Sequence, residues 1–313
     1  MTPRARGHAA AARACAFLLQ SLFAAACAAP LAADVPADAI VVRDALGRTV
    51  ALPRAPERIV TIFSSNAEIV DALGLSDRIV GIDALTTFPE AVRRKPHVGG
   101  RLGFSPDLIV RQRPDLVIVT PARQALHQVL EPMARVGVPV LVLTGVTMND
   151  VFANIRLVAR ATGVAARGET LASALEARVA AVRAAVAART PPRVVMITGR
   201  LGNGLLLVAR TDTYTGDAVT LAGGRFAIAG TPLVPHVSPE AVLAADPDVL
   251  LFAGSQADLD DLLSGPGWRN LRARGTGRVH TVPRGELLIP GPRTVDGIAR
   301  LAALFHPGAS LPK

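Results

Sequence analysis

One pattern occurs twice in this chain, in the same register, and it constrains the fold more than any other feature. Ser105-Pro106-Asp107-Leu108-Ile109-Val110-Arg111-Gln112-Arg113-Pro114-Asp115-Leu116 is matched by Ser238-Pro239-Glu240-Ala241-Val242-Leu243-Ala244-Ala245-Asp246-Pro247-Asp248-Val249. Each copy reads as Ser-Pro-acid, an apolar helical turn, then Pro-Asp leading into an apolar run. Ser at a cap, Pro at the first helical position and an acid in the first turn are ordinary helix-start chemistry, so a single copy is a common helix-to-strand connector. Recurrence once per half points to two related lobes.

The surrounding pattern agrees. Ile40 to Val42 and Thr49 to Leu52 flank Asp44-Ala45-Leu46-Gly47 as a hairpin. Strand-like runs follow at Arg58 to Phe63, Ile79 to Asp83, Leu116 to Thr120 and Val138 to Leu143. Ser64-Ser65-Asn66 reads as the N-cap of a helix over Ala67 to Leu73, which Gly74 stops. Leu126, Val129, Leu130 and Met133 recur at helical spacing. Residues Arg167 to Ala188 hold no Pro and no Gly after Gly168, and Leu171, Leu175, Val179, Val182 and Val186 form one stripe. This predicts a single helix, roughly 30 Å long, ended by Thr190-Pro191-Pro192.

Beyond that helix the alternation resumes. Strands are expected at Arg193 to Thr198, Leu205 to Val208, Val249 to Phe252 and Arg278 to Val282, and helices at Gly216 to Ala222 and Thr294 to Phe305. Such alternation argues for sheets covered on both faces. The expected architecture is therefore α/β, with two similar lobes of mainly parallel sheet joined by one long backbone helix. The expected limits are 34–165 for the first lobe, 166–190 for the linking helix and 191–313 for the second lobe.

Residues 1–33 read as a secretory signal peptide, with Arg4, Arg6 and Arg13 ahead of an apolar stretch from Ala14 to Ala29. Cleavage is expected between Ala33 and Asp34, which places the mature protein in the periplasm. The alternative is a retained anchor, although the apolar run is short for a span of ~20 residues. Both cysteines, Cys15 and Cys27, lie in this segment, so the mature chain would carry no thiol. Phe23-Ala24-Ala25-Ala26-Cys27 loosely resembles a lipidation box but lacks Leu three positions before the Cys. Without the three arginines of this segment, the 34 basic residues fall to 31 against 25 acidic ones. No basic cluster with interleaved aromatics appears in the mature part, so nucleic acid is not an expected partner.

No enzymatic constellation is present in the sequence: no GxSxG elbow, no phosphate-binding Walker loop and no HExxH zinc helix. Gly199-Arg200-Leu201-Gly202-Asn203-Gly204 lacks dinucleotide spacing and reads as a turn. His97, His127, His236, His280 and His306 include no pair at i+3 or i+4. A bare-metal site would require widely separated groups such as His97, His127, His236 and Glu286 to converge. The chain is expected to be a binding protein rather than an enzyme, with no cofactor of its own; the alternatives are a bare transition-metal binding protein and, behind it, a secreted enzyme on a two-lobed scaffold.

The mature chain resembles the periplasmic binding proteins for cobalamin, haem and ferric siderophores, the group with a helical backbone between lobes. The likeness runs in order through Asp44-Ala45-Leu46-Gly47-Arg48-Thr49-Val50, Arg58-Ile59-Val60, Ala67-Glu68-Ile69-Val70-Asp71-Ala72-Leu73-Gly74 and Asp77-Arg78-Ile79-Val80-Gly81. It continues through the two Pro-Asp strand leads, Tyr214-Thr215-Gly216-Asp217, Leu221-Ala222-Gly223-Gly224 and Pro290-Gly291-Pro292-Arg293. The resemblance implies a ligand cleft between the lobes, a metal-chelate ligand, small hinge motion and an ABC permease in the inner membrane as partner. A monomer is expected. It also implies that Asp107 and Glu240, one carboxylate per lobe, dock onto permease arginines.

Clefts in parallel sheets lie beyond the carboxyl ends of the strands. That rule selects Ser64, Ser65, Phe88, Arg101 and Arg123 in the first lobe, and Arg200, Tyr214 and Glu286 in the second. The haem-binding members place an iron-ligating Tyr shortly after the Val-Gly of the segment that here reads His97-Val98-Gly99-Gly100-Arg101. This chain has Gly100 there. A corrinoid is accordingly the first expected ligand class, then a ferric siderophore, then haem.

Overall fold

The computed structural model describes residues 39–100, 103–120, 123–228 and 236–312. Residues 1–33, expected to be a signal peptide, and Arg101 lie outside these residues. The chain opens with the hairpin of β1 (Ile40–Arg43) and β2 (Thr49–Leu52), paired from Ile40 opposite Leu52 to Arg43 opposite Thr49. Asp44 holds the turn: its carboxylate accepts from the Leu46 and Arg48 N–H groups and from the Arg48 guanidinium.

The first lobe follows as β3 (Ile59–Ile62), α1 (Ser64–Ala72), β4 (Ile79–Ile82), β5 (Gly99–Gly100), β6 (Gly103–Phe104), α2 (Pro106–Arg111), β7 (Leu116–Val119), α3 (Arg123–Arg135) and β8 (Val140–Val142). Its main sheet has the order β4-β3-β7-β8 and is parallel throughout. β3 and β7 are buried at every position, as expected of unbroken apolar strands covered on both faces.

One expectation fails at the start of α1. Ser64, Ser65 and Asn66 do not cap the helix but form its first turn, and Phe63 occupies the cap position with no side-chain hydrogen bond. The reason lies in Asn66, whose buried amide donates to the Ile62 carbonyl and whose oxygen accepts from Thr120 Oγ1 at 2.9 Å. That tie to the ends of β3 and β7 draws the helix start back toward the sheet.

Between the lobes stand α4 (Met148–Ala161) and α5 (Ala165–Val186). The second is the long helix expected from the stripe, and at ~1.5 Å per residue its 22 residues span about 33 Å. The first was not anticipated. It begins on a capping box in which Thr147 and Asp150 bond reciprocally. Arg156 on α4 reaches both Glu169 and Glu176 on α5. The helices approach closely at Gly168, where a Cβ would fall 2.1 Å from that of Ala159.

The second lobe comprises β9 (Arg193–Arg200), β10 (Leu206–Val208), α6 (Tyr214–Leu221), β11 (Arg225–Phe226), β12 (His236–Val237), α7 (Pro239–Ala245), β13 (Val249–Ala253), α8 (Gln256–Ser264), α9 (Arg272–Gly275), β14 (Val279–Val282), α10 (Arg284–Leu287) and α11 (Thr294–Phe305). Its sheet has the order β12-β10-β9-β13-β14, with β11 also on β9. β9, β13 and β14 are parallel, whereas β10 returns antiparallel to β9 and β12 antiparallel to β10. The glycine-rich turn explains the reversal. Leu201 N–H bonds the Leu205 carbonyl across a tight loop with Gly204 at φ 84, and a parallel return would need a crossover of about a dozen residues.

The internal repeat has the same structure in both lobes. Ser105 and Ser238 cap α2 and α7 by accepting from Leu108 N–H and Ala241 N–H, with Pro at the first helical position. Arg113 and Asp246, at corresponding positions, both have positive φ. Asp115 then accepts from the Arg58 N–H at 2.8 Å, and Asp248 from the Arg193 N–H at 2.8 Å. Each acid therefore staples the start of a central strand.

The apolar interior is continuous between the lobes. Ile59, Leu116 and Leu141 of the first sheet share one cluster with α4, α5 and α11, and with Val194, Met196, Val249 and Leu251 of the second sheet. The opposite face of each sheet packs separately, against α2 and α3 in the first lobe and around Trp268 in the second.

Candidate functional site

The carboxyl ends of β3, β4 and β7 open onto a cavity of about 570 Å³. Phe63, Ser64 and Ser65 enter it from the β3–α1 junction, Asp83 and Leu85 from the end of β4, and Thr120 from the end of β7. The second lobe contributes Arg284 of α10 and the segment Leu288-Ile289-Pro290. A second cavity of about 390 Å³ adjoins it through Arg284 and is lined by Gly199, Arg200, Phe252 and Ser255 among others. Together they place a concave surface where a ligand binds in parallel sheets.

Local hydrogen bonds fix the polar groups of this surface. The buried Asp83 carboxylate accepts from Leu85 N–H at 2.8 Å and Thr86 Oγ1 at 2.6 Å, which shapes the loop leading to Phe88. Ser64 Oγ donates to the Leu85 carbonyl at 3.3 Å. Arg284 donates from Nη1 to the carbonyls of Thr198 and Ala253, at 2.8 and 3.0 Å. These carbonyls lie at the ends of β9 and β13, so a cation sits on the strand termini facing the cleft.

Beside this surface, a second arginine joins the lobes. Arg293 donates from Nε and Nη2 to both oxygens of Glu68 on α1, at 3.0 and 2.5 Å. Its guanidinium also lies over the Phe88 ring, 3.7 Å from the centroid. The Glu68 side chain is 1% exposed. Burial pushes its carboxyl above the ordinary range, and the hydrogen bond and charge of Arg293 oppose that shift. Gly291 makes room for the pair, because a Cβ there would stand 2.9 Å from Glu68 Oε2.

The residues selected from sequence distribute as follows. Ser64 and Ser65 line the larger cavity and Arg200 the smaller, where Arg200 pairs with Asp261 at 2.5 Å. Phe88 lies on the first-lobe loop beneath Arg293. Arg123 opens α3. Tyr214 begins α6, where its N–H bonds the Val146 carbonyl and its ring packs on the shared core. Burial raises its phenol above the ordinary value. Glu286 is held by Arg300 through two bonds of 2.8 and 2.9 Å. Asp107 and Glu240 are exposed in the first turns of α2 and α7. Hydrogen bonds from its own N–H and from Ser238 lower the Glu240 carboxyl, which keeps it anionic.

Phe63, Arg284, Glu68 and Arg293 were not selected. Glu68 and Arg293 fell within resemblance motifs, yet no local spacing signals a pair 225 residues apart. Among the described residues, no group of three or more His, Cys, Asp or Glu is placed to hold a metal ion. No helix among them is long and apolar enough to cross a membrane.

A family model described as "Periplasmic binding protein" matches residues 59–284. The chain is 31% identical over 278 residues to a cobalamin-binding protein of Halobacterium salinarum, covering 84% of this chain and 73% of that one. It is also similar to the solved structure of a periplasmic haem-binding protein from Roseiflexus sp. RS-1, with a TM-score of 0.70 and 32% identity over 80% of this chain and 97% of that chain. A solved Fe3+-hydroxamate transport-system protein from Saccharomonospora viridis matches with a TM-score of 0.67 and 26% identity, over 86% of this chain and 99% of that chain.

Proposed function

The chain belongs to the periplasmic binding protein family, and on that premise we propose that it captures a metal chelate and delivers it to an ABC permease. Binding is reversible, and no bond is made or broken. The observation that carries this reading is the cavity at the carboxyl ends of β3, β4 and β7, walled on its far side by the second lobe. Its described lining includes no Tyr, His, Cys or Met. A site of that composition suits a metal whose coordination is already filled by its chelator. That favours a corrinoid first, then a ferric siderophore, over a haem that takes an axial ligand from the protein. The names of the relatives, a cobalamin-binding protein, a haem-binding protein and an Fe3+-hydroxamate transport system, support the same class.

Asp107 and Glu240 are the docking acids of this reading. The repeat places each at the second position of a short helix, exposed and one per lobe. The signal peptide ends at Ala33, the mature protein acts in the periplasm as a monomer, and the lobes span 34–165 and 191–313 around the linking helix 166–190. Calorimetric titration of residues 34–313 with cyanocobalamin, ferrichrome and haemin tests the cargo. Calorimetry suits it better than tryptophan fluorescence, because Trp268 is buried in the outer core of the second lobe. Saturable one-to-one binding of one compound supports the reading, and no binding of any of the three refutes it.

A further inference from the structure

Phe63 stands at the junction of β3 and α1 with φ 78 and ψ 137. A side chain with a Cβ adopts that region only at a cost, and glycine is the residue that occupies it freely. The position also forfeits a cap: Ser, Thr, Asp or Asn at this point would bind a free N–H of the helix, and Phe63 binds none. Two local preferences are thus violated at one residue. Violations of this kind concentrate at functional sites.

The conformation brings Phe63 to the cleft wall, where its ring also packs with Phe104 on the outer core of the first lobe. Phe63 lines the larger cavity and is half-buried, as is Phe104 of β6. The two rings meet edge to face, with centroids 5.9 Å apart and planes at 64°. Leu288, Ile289 and Pro290 of the second lobe line the same cavity, while Ser64, Asp83 and Arg284 supply polar groups around it. A space with one aromatic residue backed by a second, an apolar segment and a few polar groups fits a conjugated ring with polar substituents.

We propose that Phe63, braced by Phe104, is the aromatic platform for the conjugated ring system of a macrocyclic chelate, and that its unfavourable backbone is retained for that contact. This deepens the cargo reading above and rests on it. It separates corrinoids and porphyrins, which carry an extended conjugated macrocycle, from ferric siderophores, whose chelating groups wrap the metal and present no such ring.

The experiment compares Phe63→Gly, Phe63→Ala and Phe63→Trp in residues 34–313, by ligand-free thermal melting and by calorimetry with cyanocobalamin and haemin. Gly and Ala both remove the ring, so their difference isolates the backbone. The glycine variant is expected to melt about 3 °C above the alanine variant, after its larger loss of chain entropy is counted. Both are expected to bind the macrocycle about tenfold more weakly than the parent, whereas the tryptophan variant stays within about threefold. Equal melting of Gly and Ala, or a lower value for Gly, overturns the backbone argument. Binding by either variant within about twofold of the parent overturns the platform and leaves the cargo reading intact. A parent that binds neither macrocycle overturns the proposed ligand class itself.

Discussion

Replacing Arg293 by alanine strands the Glu68 carboxyl. That side chain is 1% exposed, and among the described residues Arg293 is its ion-pair partner. Removing one member of a buried pair typically costs about 3–5 kcal/mol, because the remaining charge stays desolvated. The Arg293 side chain is 27% exposed, which places the expected loss at the lower end, near about 3 kcal/mol. For a chain of this size that corresponds to a fall of about 6–12 °C in melting temperature. The loss is pH-dependent, and its sign follows from Glu68. Its folded pKa already lies above the unfolded value, so the folded state holds this proton more tightly than the unfolded state. The stabilising effect of that proton is present below the unfolded pKa and lost as pH rises through the folded one. Without Arg293 the opposing interaction is gone, and the folded pKa rises further. Urea unfolding should therefore show the full deficit of Arg293→Ala at about pH 7.5 and less than about half of it at about pH 4. Glu68→Gln in the same background should recover stability at the higher pH. A deficit below about 1 kcal/mol, or one constant across this range, would refute this account of the Arg293–Glu68 pair.

Three further outcomes are expected. Asp107→Ala combined with Glu240→Ala should abolish uptake in cells while leaving calorimetric affinity unchanged; a large loss of affinity would show that these acids serve the ligand. Gly168→Ala should destabilise by about 1–3 kcal/mol in denaturant melts through overpacking against Ala159, although alanine normally favours a helix. A more stable variant would mean that α4 and α5 separate more easily than their contact implies. Arg284→Ala should weaken binding of the cognate chelate about tenfold, as loss of a charged hydrogen-bond donor does; a change below about twofold would confine Arg284 to capping strand ends.

The fold was legible wherever the determinants are local. The Ser-Pro-acid and Pro-Asp repeat located α2, β7, α7 and β13, because caps and strand leads act within a few residues. The signal for α4 was also local: Thr147 and Asp150 form a box, and Val151, Phe152, Ile155 and Val158 follow at helical spacing and are buried. The cap expected at Ser64-Ser65-Asn66 failed for a different reason. The competing partner of Asn66 is Thr120, 54 residues away, and a sequence pattern does not weigh such bonds. The site divides along the same line. Rules about strand ends selected Ser64 and Ser65, which line the cavity. Arg284 and Arg293 act through carbonyls and a carboxylate that only folding brings near.

The continuous interior sets an order in time. Ribosomes build the chain from its N-terminus, and the first sheet with α4 is complete long before the second begins. Yet the cluster that holds that sheet also needs Val194, Leu251 and, at the end, Leu301, Ala302 and Phe305 of α11. A partial chain therefore exposes an apolar stripe on α5 for which no covering has been made. The last helix acts as the closing stone, so this shared interior can be complete only once synthesis has nearly ended.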